Sequence, residues 1–332
     1  MPQTQIGTAI TGSGSATPAA LIDNDGLSQV VETSDDWIAS RTGIRQRRLA
    51  DHQESLTTIA AEAAQKAMVM AGVAALDVDL IILATSTPDD LFGSASQIQA
   101  ELGAMKAAAF DLTAACSGFV FGLVTAAQFI RTGVYQTIVL IGADILSRWV
   151  DWSDRRTCVL FGDGAGAVVL QANQHERFLG FELRSDGTQN ECLNLAYQGQ
   201  PYDLVEGVSV SQGSFQPITM NGREVYRFAV KRVPEAIEKC LFHANLTTEN
   251  IDWLLLHQAN QRILDAVAQR LNIPTERVIS NMAKYGNTSA ASIPLALDEV
   301  VRAGKIQPDH VIAASGFGAG LSWGATIFQW GR

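Results

Sequence analysis

The sequence predicts an α/β fold built from two duplicated halves, each a largely parallel sheet with helices on its faces. Apolar runs of strand length, continuous enough to be covered on both sides, alternate with alanine-rich or amphipathic segments of helix length. The pattern then recurs along the chain. Residues 76–83 resemble 250–256, and Phe129-Ile130-Arg131-Thr132-Gly133 resembles Val300-Val301-Arg302-Ala303-Gly304, at an offset of 171 to 173. The halves are expected at 1–172 and 173–332, with an insertion near 180–222 and no linker between them.

In chain order, residues 6–10 read as a strand. Asp35-Asp36-Trp37-Ile38 leads into the basic stretch 41–48, which is either a solvated loop or an anion site with an aromatic platform. Residues 56–71 form an amphipathic helix, 79–85 a buried strand, 94–102 a second helix, and 107–112 a strand that runs into the apolar segment 116–130. Residues 137–142 close the first unit. The glycines of 162–166 lack Walker spacing and a lysine, so strand-turn-strand packing is expected there rather than phosphate binding. Residues 180–222 are turn-rich, 222–227 open a helix, and 253–256 are a buried strand. The uncharged window 311–330 is broken by Gly316, Gly318, Gly320 and Gly324 into two short strands, which argues against a membrane helix.

A chain of 332 residues with 47% hydrophobic content can bury one large core or two similar ones. The net charge of −10 argues against general nucleic-acid binding, and it would repel an acidic partner unless basic residues cluster locally. The four cysteines, Cys116, Cys158, Cys192 and Cys240, contain no C-x-x-C pair, so neither a zinc site nor a disulfide framework is indicated. That usage suggests a reducing compartment. The first residues show no signal or transit pattern, so a cytoplasmic protein is expected.

Three residues carry the candidate chemistry. Cys116 stands at the start of a buried helix, where unpaired N–H groups and the helix dipole favour thiolate; the alternative is a small buried hydrophobe. His257 follows the strand 253–256, at the carboxyl edge where α/β sheets place their sites, although it could be a satisfied structural histidine. Asn287 falls opposite Cys116 under the smaller offset and would open the equivalent helix, where it could equally be a cap. Packing of the halves about a pseudo-twofold axis would bring the two helix starts to one centre.

The motifs Ala114-Ala115-Cys116-Ser117-Gly118-Phe119, His257-Gln258-Ala259-Asn260-Gln261-Arg262-Ile263 and Gly286-Asn287-Thr288-Ser289-Ala290-Ala291-Ser292-Ile293-Pro294 resemble those of the β-ketoacyl-acyl-carrier-protein synthase III family. The resemblance implies a thiolase-like fold, five-layered αβαβα, usually homodimeric. It implies an acyltransferase that joins acetyl-CoA to malonyl-acyl-carrier-protein through an acyl-Cys116 intermediate. His257 and Asn287 would stabilise the enolate left by decarboxylation, and the backbone N–H groups of Cys116 and Ala319 would form the oxyanion hole. No metal or redox cofactor is implied, since the CoA thioester is a substrate.

The same resemblance places Trp37 and Arg155 on the CoA adenine, Arg41 on a phosphate, and Gly222, Tyr226 and Asn260 along the pantetheine arm. Arg227, Arg262 and Arg270 would meet the acidic carrier protein, and Phe92 would reach across the dimer to bound the acyl pocket. Alternatives are a specialised condensing enzyme with another primer, a non-catalytic acyl-CoA binding module, and a thiol hydrolase.

Overall fold

The computed structural model describes residues 6–331. The first half contains β1 (Gly7–Ala16), α1 (Asp35–Thr42), α2 (Leu56–Ala71), β2 (Leu80–Ala84), α3 (Ala95–Glu101), β3 (Ala108–Leu112), α4 (Gly118–Arg131), β4 (Thr137–Asp144) and β5 (Gly164–Asn173). The second contains β6 (Phe178–Ser185), the hairpin β7 (Tyr197–Val205) and β8 (Val208–Phe215), α5 (Gly222–His243), β9 (Trp253–Leu256), α6 (Gln261–Leu271), β10 (Val278–Ile279), α7 (Ser292–Arg302), β11 (Val311–Gly318) and β12 (Ser322–Gln329).

Each half forms a five-stranded sheet of one topology. The orders are β1-β5-β4-β2-β3 and β6-β12-β11-β9-β10, and in both the first two pairings are antiparallel and the last two parallel. Helices α4 and α7 lie between the sheets and touch both, while α2 covers the outer face of the first sheet and α5 that of the second. The result is five layers, αβαβα. The middle layer is apolar: Phe119, Val120 and Leu123 of α4 and Ile293 and Leu297 of α7 are buried with Ile82 and Leu255, each contributing up to about 1.5–3 kcal/mol by leaving water.

Local sequence explains the main elements. Helix α2 begins at a reciprocal Ser55–Thr58 capping box and ends at Gly72, which takes the left-handed φ of +67°. Its inner face is Ala60, Ala63, Ala64 and Ala67 because β1 runs close beneath it: a methyl at Gly12 or Gly14 would collide with the backbone of Ala67 or Ala63. All eight residues of β4 are buried, consistent with a strand covered on both faces. The inner helices also fasten the halves together. Arg131, at the end of α4, donates to Phe178 O in β6 (2.6 Å), and Arg302, at the end of α7, donates to Ser13 O in β1 (3.1 Å).

Four expectations change. The basic stretch 41–48 is not one solvated loop: Arg41 and Thr42 end α1, which is capped by Ser34 and closed by Gly43, and a short strand Gln46–Arg48 follows. Residues 154–170 hold one strand rather than two. Only β5 forms, because residues 154–160 turn and Phe161 makes a single bridge to Asn287. The turn-rich region gives up its first residues to the core, since β6 pairs with β12, and the projecting part is the exposed β7–β8 hairpin. Finally, the partner of Cys116 in the duplication is Ala290, not Asn287. The short turns 115–117 and 289–291 match at an offset of 174, with Ala115 and Ser289 both in the left-handed region at φ +47° and +51°. Helix α4 has 14 residues and α7 has 11, so the offset falls to 171 at Arg131 and Arg302, and a sequence comparison anchored on the helix ends misplaces their starts.

Candidate active site

Cys116 lies in the turn between β3 and α4, held by Ser117 bonding back to Ala114 O through both its N–H (3.1 Å) and its hydroxyl (2.6 Å). The end of β11 presses on this turn. A Cβ on Gly318 would stand 2.7 Å from the Cys116 nitrogen and 3.0 Å from its Cβ, so glycine is required by the close approach. The thiol is buried and lies 3.3 Å from the Ser289 hydroxyl. Burial pushes it up to about 12, with the nearby Asp144 adding to the rise and the Ser289 hydrogen bond opposing it. A helix start is worth up to about 2 kcal/mol to an anion, whereas a rise from 9.0 to about 12 corresponds to roughly 4 kcal/mol. Desolvation wins over the helix start, and the resting sulfur is a thiol rather than the thiolate that sequence position alone favours.

His257 emerges from the end of β9, its backbone N–H bonded to Ser315 O at 2.9 Å and its ring edge-on to Phe317 at 5.2 Å. The ring is fully buried, and desolvation drives it down to about 3, so it is neutral. Its Nδ1 lies 2.7 Å from Ser292 Oγ, which already accepts the Gln258 N–H. Ser292 has no other acceptor for its own proton among the described residues. Its hydroxyl therefore donates to Nδ1, which places the ring proton on Nε2.

Asn287 is positioned by its own backbone, which pairs with residues 160–162: its N–H donates to Leu160 O (2.9 Å) and its carbonyl accepts from Gly162 N–H (3.0 Å). Its Oδ1 accepts the Ser289 N–H at 2.9 Å. With the oxygen so engaged, the amide N–H₂ is the free end of the side chain, a donor like the His257 ring.

One cavity of about 610 Å³ is lined by Cys116, His257 and Asn287 together with Trp37, Arg41, Arg155, Gly222, Tyr226, Asn260 and Arg262. The three candidate reactive groups are buried in it and the arginines are exposed. Trp37, in the first turn of α1, is flanked by two guanidinium groups, Arg41 at 4.6 Å and Arg155 at 4.8 Å from the ring centroid. Asn260 caps α6 and donates to Arg41 O (3.0 Å), and Arg262 donates to Ser40 O (3.1 Å), tying α1 to α6 beside the opening. A second cavity of about 770 Å³ also reaches Cys116, lined by Ser289, Ala319, Thr87, Leu91 and Trp149 among others. Ala319 thus stands beside Cys116, next to Gly318.

Some expected residues lie apart from these cavities. Arg227 pairs with Glu224 (2.9 Å) and Arg270 with Lys231 O (3.2 Å) and Glu238 (3.8 Å), all on the outer surface. Phe92 lines neither cavity and is 98% exposed, while the adjacent Leu91 enters the second. Sequence reading gave no role to Ser289, Ser292, Asp144 or Phe317. Ser289 and Ser292 stand within a motif already singled out, at the spacing that puts two hydroxyls on either side of a helix start; nothing in the sequence marks Asp144.

Family models for 3-oxoacyl-[acyl-carrier-protein] synthase III match residues 110–187, and for its C-terminal part residues 241–330. A β-ketoacyl-[acyl-carrier-protein] synthase III of Trichormus variabilis is 72% identical over 327 residues, covering 98% of this chain and 99% of that one. Among solved structures, 3-oxoacyl-[acyl-carrier-protein] synthase III from Aquifex aeolicus superposes with a TM-score of 0.90 at 41% identity, covering 98% of this chain and all of the other. The priming β-ketosynthase of the R1128 polyketide pathway superposes with a TM-score of 0.91 at 31% identity, covering 99% and 97%.

Proposed function

Since this chain belongs to the β-ketoacyl-acyl-carrier-protein synthase III family and is an acyl-condensing enzyme, we propose that it primes fatty acid synthesis by the following division of labour. Cys116 attacks the thioester of acetyl-CoA and retains the acetyl group, while the backbone N–H groups of Cys116 and Ala319 hold the oxyanion. Malonyl-acyl-carrier-protein then loses carbon dioxide. The enolate oxygen takes hydrogen bonds from His257 Nε2–H and the Asn287 amide, and its carbon attacks acetyl-Cys116 to give acetoacetyl-acyl-carrier-protein. The steps balance without a metal or redox cofactor.

The observation that supports this reading best is the single cavity in which two neutral donors face the same space as the nucleophile. A donor that is already uncharged can stabilise an enolate without a prior proton transfer, which is what a histidine held at about 3 supplies. Trp37, Arg41 and Arg155 suit the adenine and phosphates of CoA, and Gly222, Tyr226 and Asn260 line the path inward. Arg227, Arg262 and Arg270 offer local positive charge to an acidic carrier protein despite the overall −10. The free edge of β3, with Phe110, Met105, Leu91 and Phe92 exposed nearby, supports a homodimer about that edge in which Phe92 bounds the neighbouring acyl pocket. No helix among the described residues is long and apolar enough to cross a membrane. A cytoplasmic location, in keeping with four cysteines at unpaired spacing, is part of the same proposal.

Intact-protein mass measurement after mixing with acetyl-CoA tests the reading. One acetyl adduct on Cys116, discharged as acetoacetyl carrier protein on adding malonyl-acyl-carrier-protein, is expected; Cys116→Ala that still turns over would overturn it and favour a role other than nucleophile for this site. A second reading, a specialised condensing enzyme with a bulkier primer, draws on the 770 Å³ cavity at Cys116. A panel of acyl-CoA thioesters separates the two by whether acetyl is preferred.

A further inference from the structure

We propose that Arg47 is the positioning residue for Asn287: its buried guanidinium holds the chain segment that Asn287 hangs from, and so aims the amide donor at the enolate oxygen. The proposal rests on the enolate role of Asn287 set out above. Of the arginines in the basic stretch 41–48, Arg41 lines the cavity, Arg45 pairs with Asp35 and Arg48 donates to Ala19 O (3.0 Å). Arg47 is different. It is 0% exposed, and its hydrogen bonds all go to neutral oxygens: Nη2 donates to Val159 O (2.8 Å), and Nη1 to Asn24 Oδ1 (2.9 Å) and Ile22 O (3.5 Å). No carboxylate among the described residues bonds it. What the planar fork supplies, and an apolar side chain does not, is a fixed geometry between the oxygens it joins.

One end of that fork is anchored. Asn24 Nδ2 donates to Ile44 O (2.8 Å) and Asp35 Oδ1 (2.8 Å), which leaves Oδ1 for Arg47. The other end leads to the active site. Val159 directly precedes the residues that pair with Asn287, whose N–H donates to Leu160 O (2.9 Å) and whose carbonyl accepts from Gly162 N–H (3.0 Å).

The stem of Arg47 supports the same pairing. A Cβ on Gly162 would stand 3.1 Å from Arg47 Cβ and 2.3 Å from Tyr285 O, and one on Gly286 would stand 3.5 Å from Arg47 Cβ and 2.7 Å from Leu160 O. Segments 160–162 and 285–287 therefore meet backbone to backbone at two glycines, and Arg47 lies against both. The chain on either side of Arg47 is bonded to the same two segments. Arg45 N–H donates to Ala283 O (3.1 Å), and Arg48 O accepts from Asp163 N–H (2.8 Å).

Cys116 is held otherwise, by the Ser117 bonds to Ala114 O and by the approach of Gly318. Loss of the fork should thus fall on one half-reaction. A donor displaced by about 1 Å loses about 100-fold in rate, while the nucleophile keeps its turn. Val159 also lines the cavity, so KM for acetyl-CoA can move where the acetylation rate at saturation does not.

Arg47→Met keeps a stem and removes the fork. Release of radiolabelled carbon dioxide from malonyl-acyl-carrier-protein should fall about 10- to 100-fold in kcat, with KM for that substrate within about twofold. Acetylation of Cys116 at saturating acetyl-CoA, followed by intact mass, should stay within about threefold. Arg47→Lys, which keeps a donor for Val159 O, should restore at least about threefold of the lost rate. In an Asn287→Ala background, Arg47→Met should change decarboxylation by less than about twofold, because the group it positions is gone. Decarboxylation near the wild-type rate, equal losses in both half-reactions, or an undiminished loss in the Asn287→Ala background would each overturn the positioning role. Should Arg47→Met not fold, Arg47→Lys decides by the same comparison, with a smaller loss that vanishes in the Asn287→Ala background. Asn287→Ala that decarboxylates as fast as wild type would instead defeat the enolate role itself, and the positioning with it.

Discussion

Ser292 Oγ lies 2.7 Å from His257 Nδ1 and fixes which ring nitrogen carries the proton. Removing that hydroxyl frees the ring to take the other tautomer, in which Nε2 is an acceptor and useless to an enolate. Ser292→Ala should therefore lower decarboxylation of malonyl-acyl-carrier-protein about tenfold, the worth of one hydrogen bond, and leave acetylation of Cys116 within twofold. Radiolabelled carbon dioxide release and the mass assay measure the two halves separately. Equal losses in both would remove the tautomer argument.

Burial of His257 also makes stability depend on pH. Its folded value, about 3, is depressed below the ordinary 6.5, so the unfolded chain binds the proton first. The stabilisation is complete above pH 6.5 and declines as pH falls toward 3, at up to about 1.4 kcal/mol per unit. Denaturant midpoints between pH 7 and 5 should fall more steeply in wild type than in His257→Gln; parallel slopes would contradict a neutral buried ring.

Gly318 is constrained by the nucleophile's backbone. A methyl there stands 2.7 Å from Cys116 N, so Gly318→Ala must displace the Cys116 turn. A stability loss of about 1–3 kcal/mol should come with loss of acetylation out of proportion to it, measured by thermal melting and by the mass assay. Full acetylation in a stable variant would show that the approach is looser than described.

Arg270 lies away from the cavities, unlike Arg262, so it separates carrier-protein docking from CoA binding. Arg270→Glu should raise KM for malonyl-acyl-carrier-protein about fivefold, as a reversed rim charge does, with KM for acetyl-CoA unchanged. The difference should shrink as salt is raised. An equal effect on both substrates would exclude this patch from docking.

The fold was legible because its strands are buried on both faces and its two halves keep their strand order. Apolar runs such as 79–85 and 137–142 have no other home, and the recurrence around Asp79 and Asp252 identifies the repeat. The correspondence of Cys116 with Asn287 was not legible, because α7 is three residues shorter than α4 and nothing local reports a deletion inside a helix. The reactive types at 116, 257 and 287 could be read from their motifs. The groups that set their protonation could not: Asp144 raises the Cys116 thiol through its charge from the end of a different strand, with no sequence pattern linking the two, and the tautomer at His257 depends on where one hydroxyl proton has no alternative.

The two inner arginines bear on how the chain comes apart. Arg131 holds the opening strand of the second half and Arg302 that of the first. Each repeat thus keeps its clasp inside the other, like two hands gripping each other's wrists. Neither grip can loosen alone without exposing the apolar layer they share. Such a molecule should melt in one step rather than half by half, and the repeats made as separate polypeptides should gain structure only when mixed.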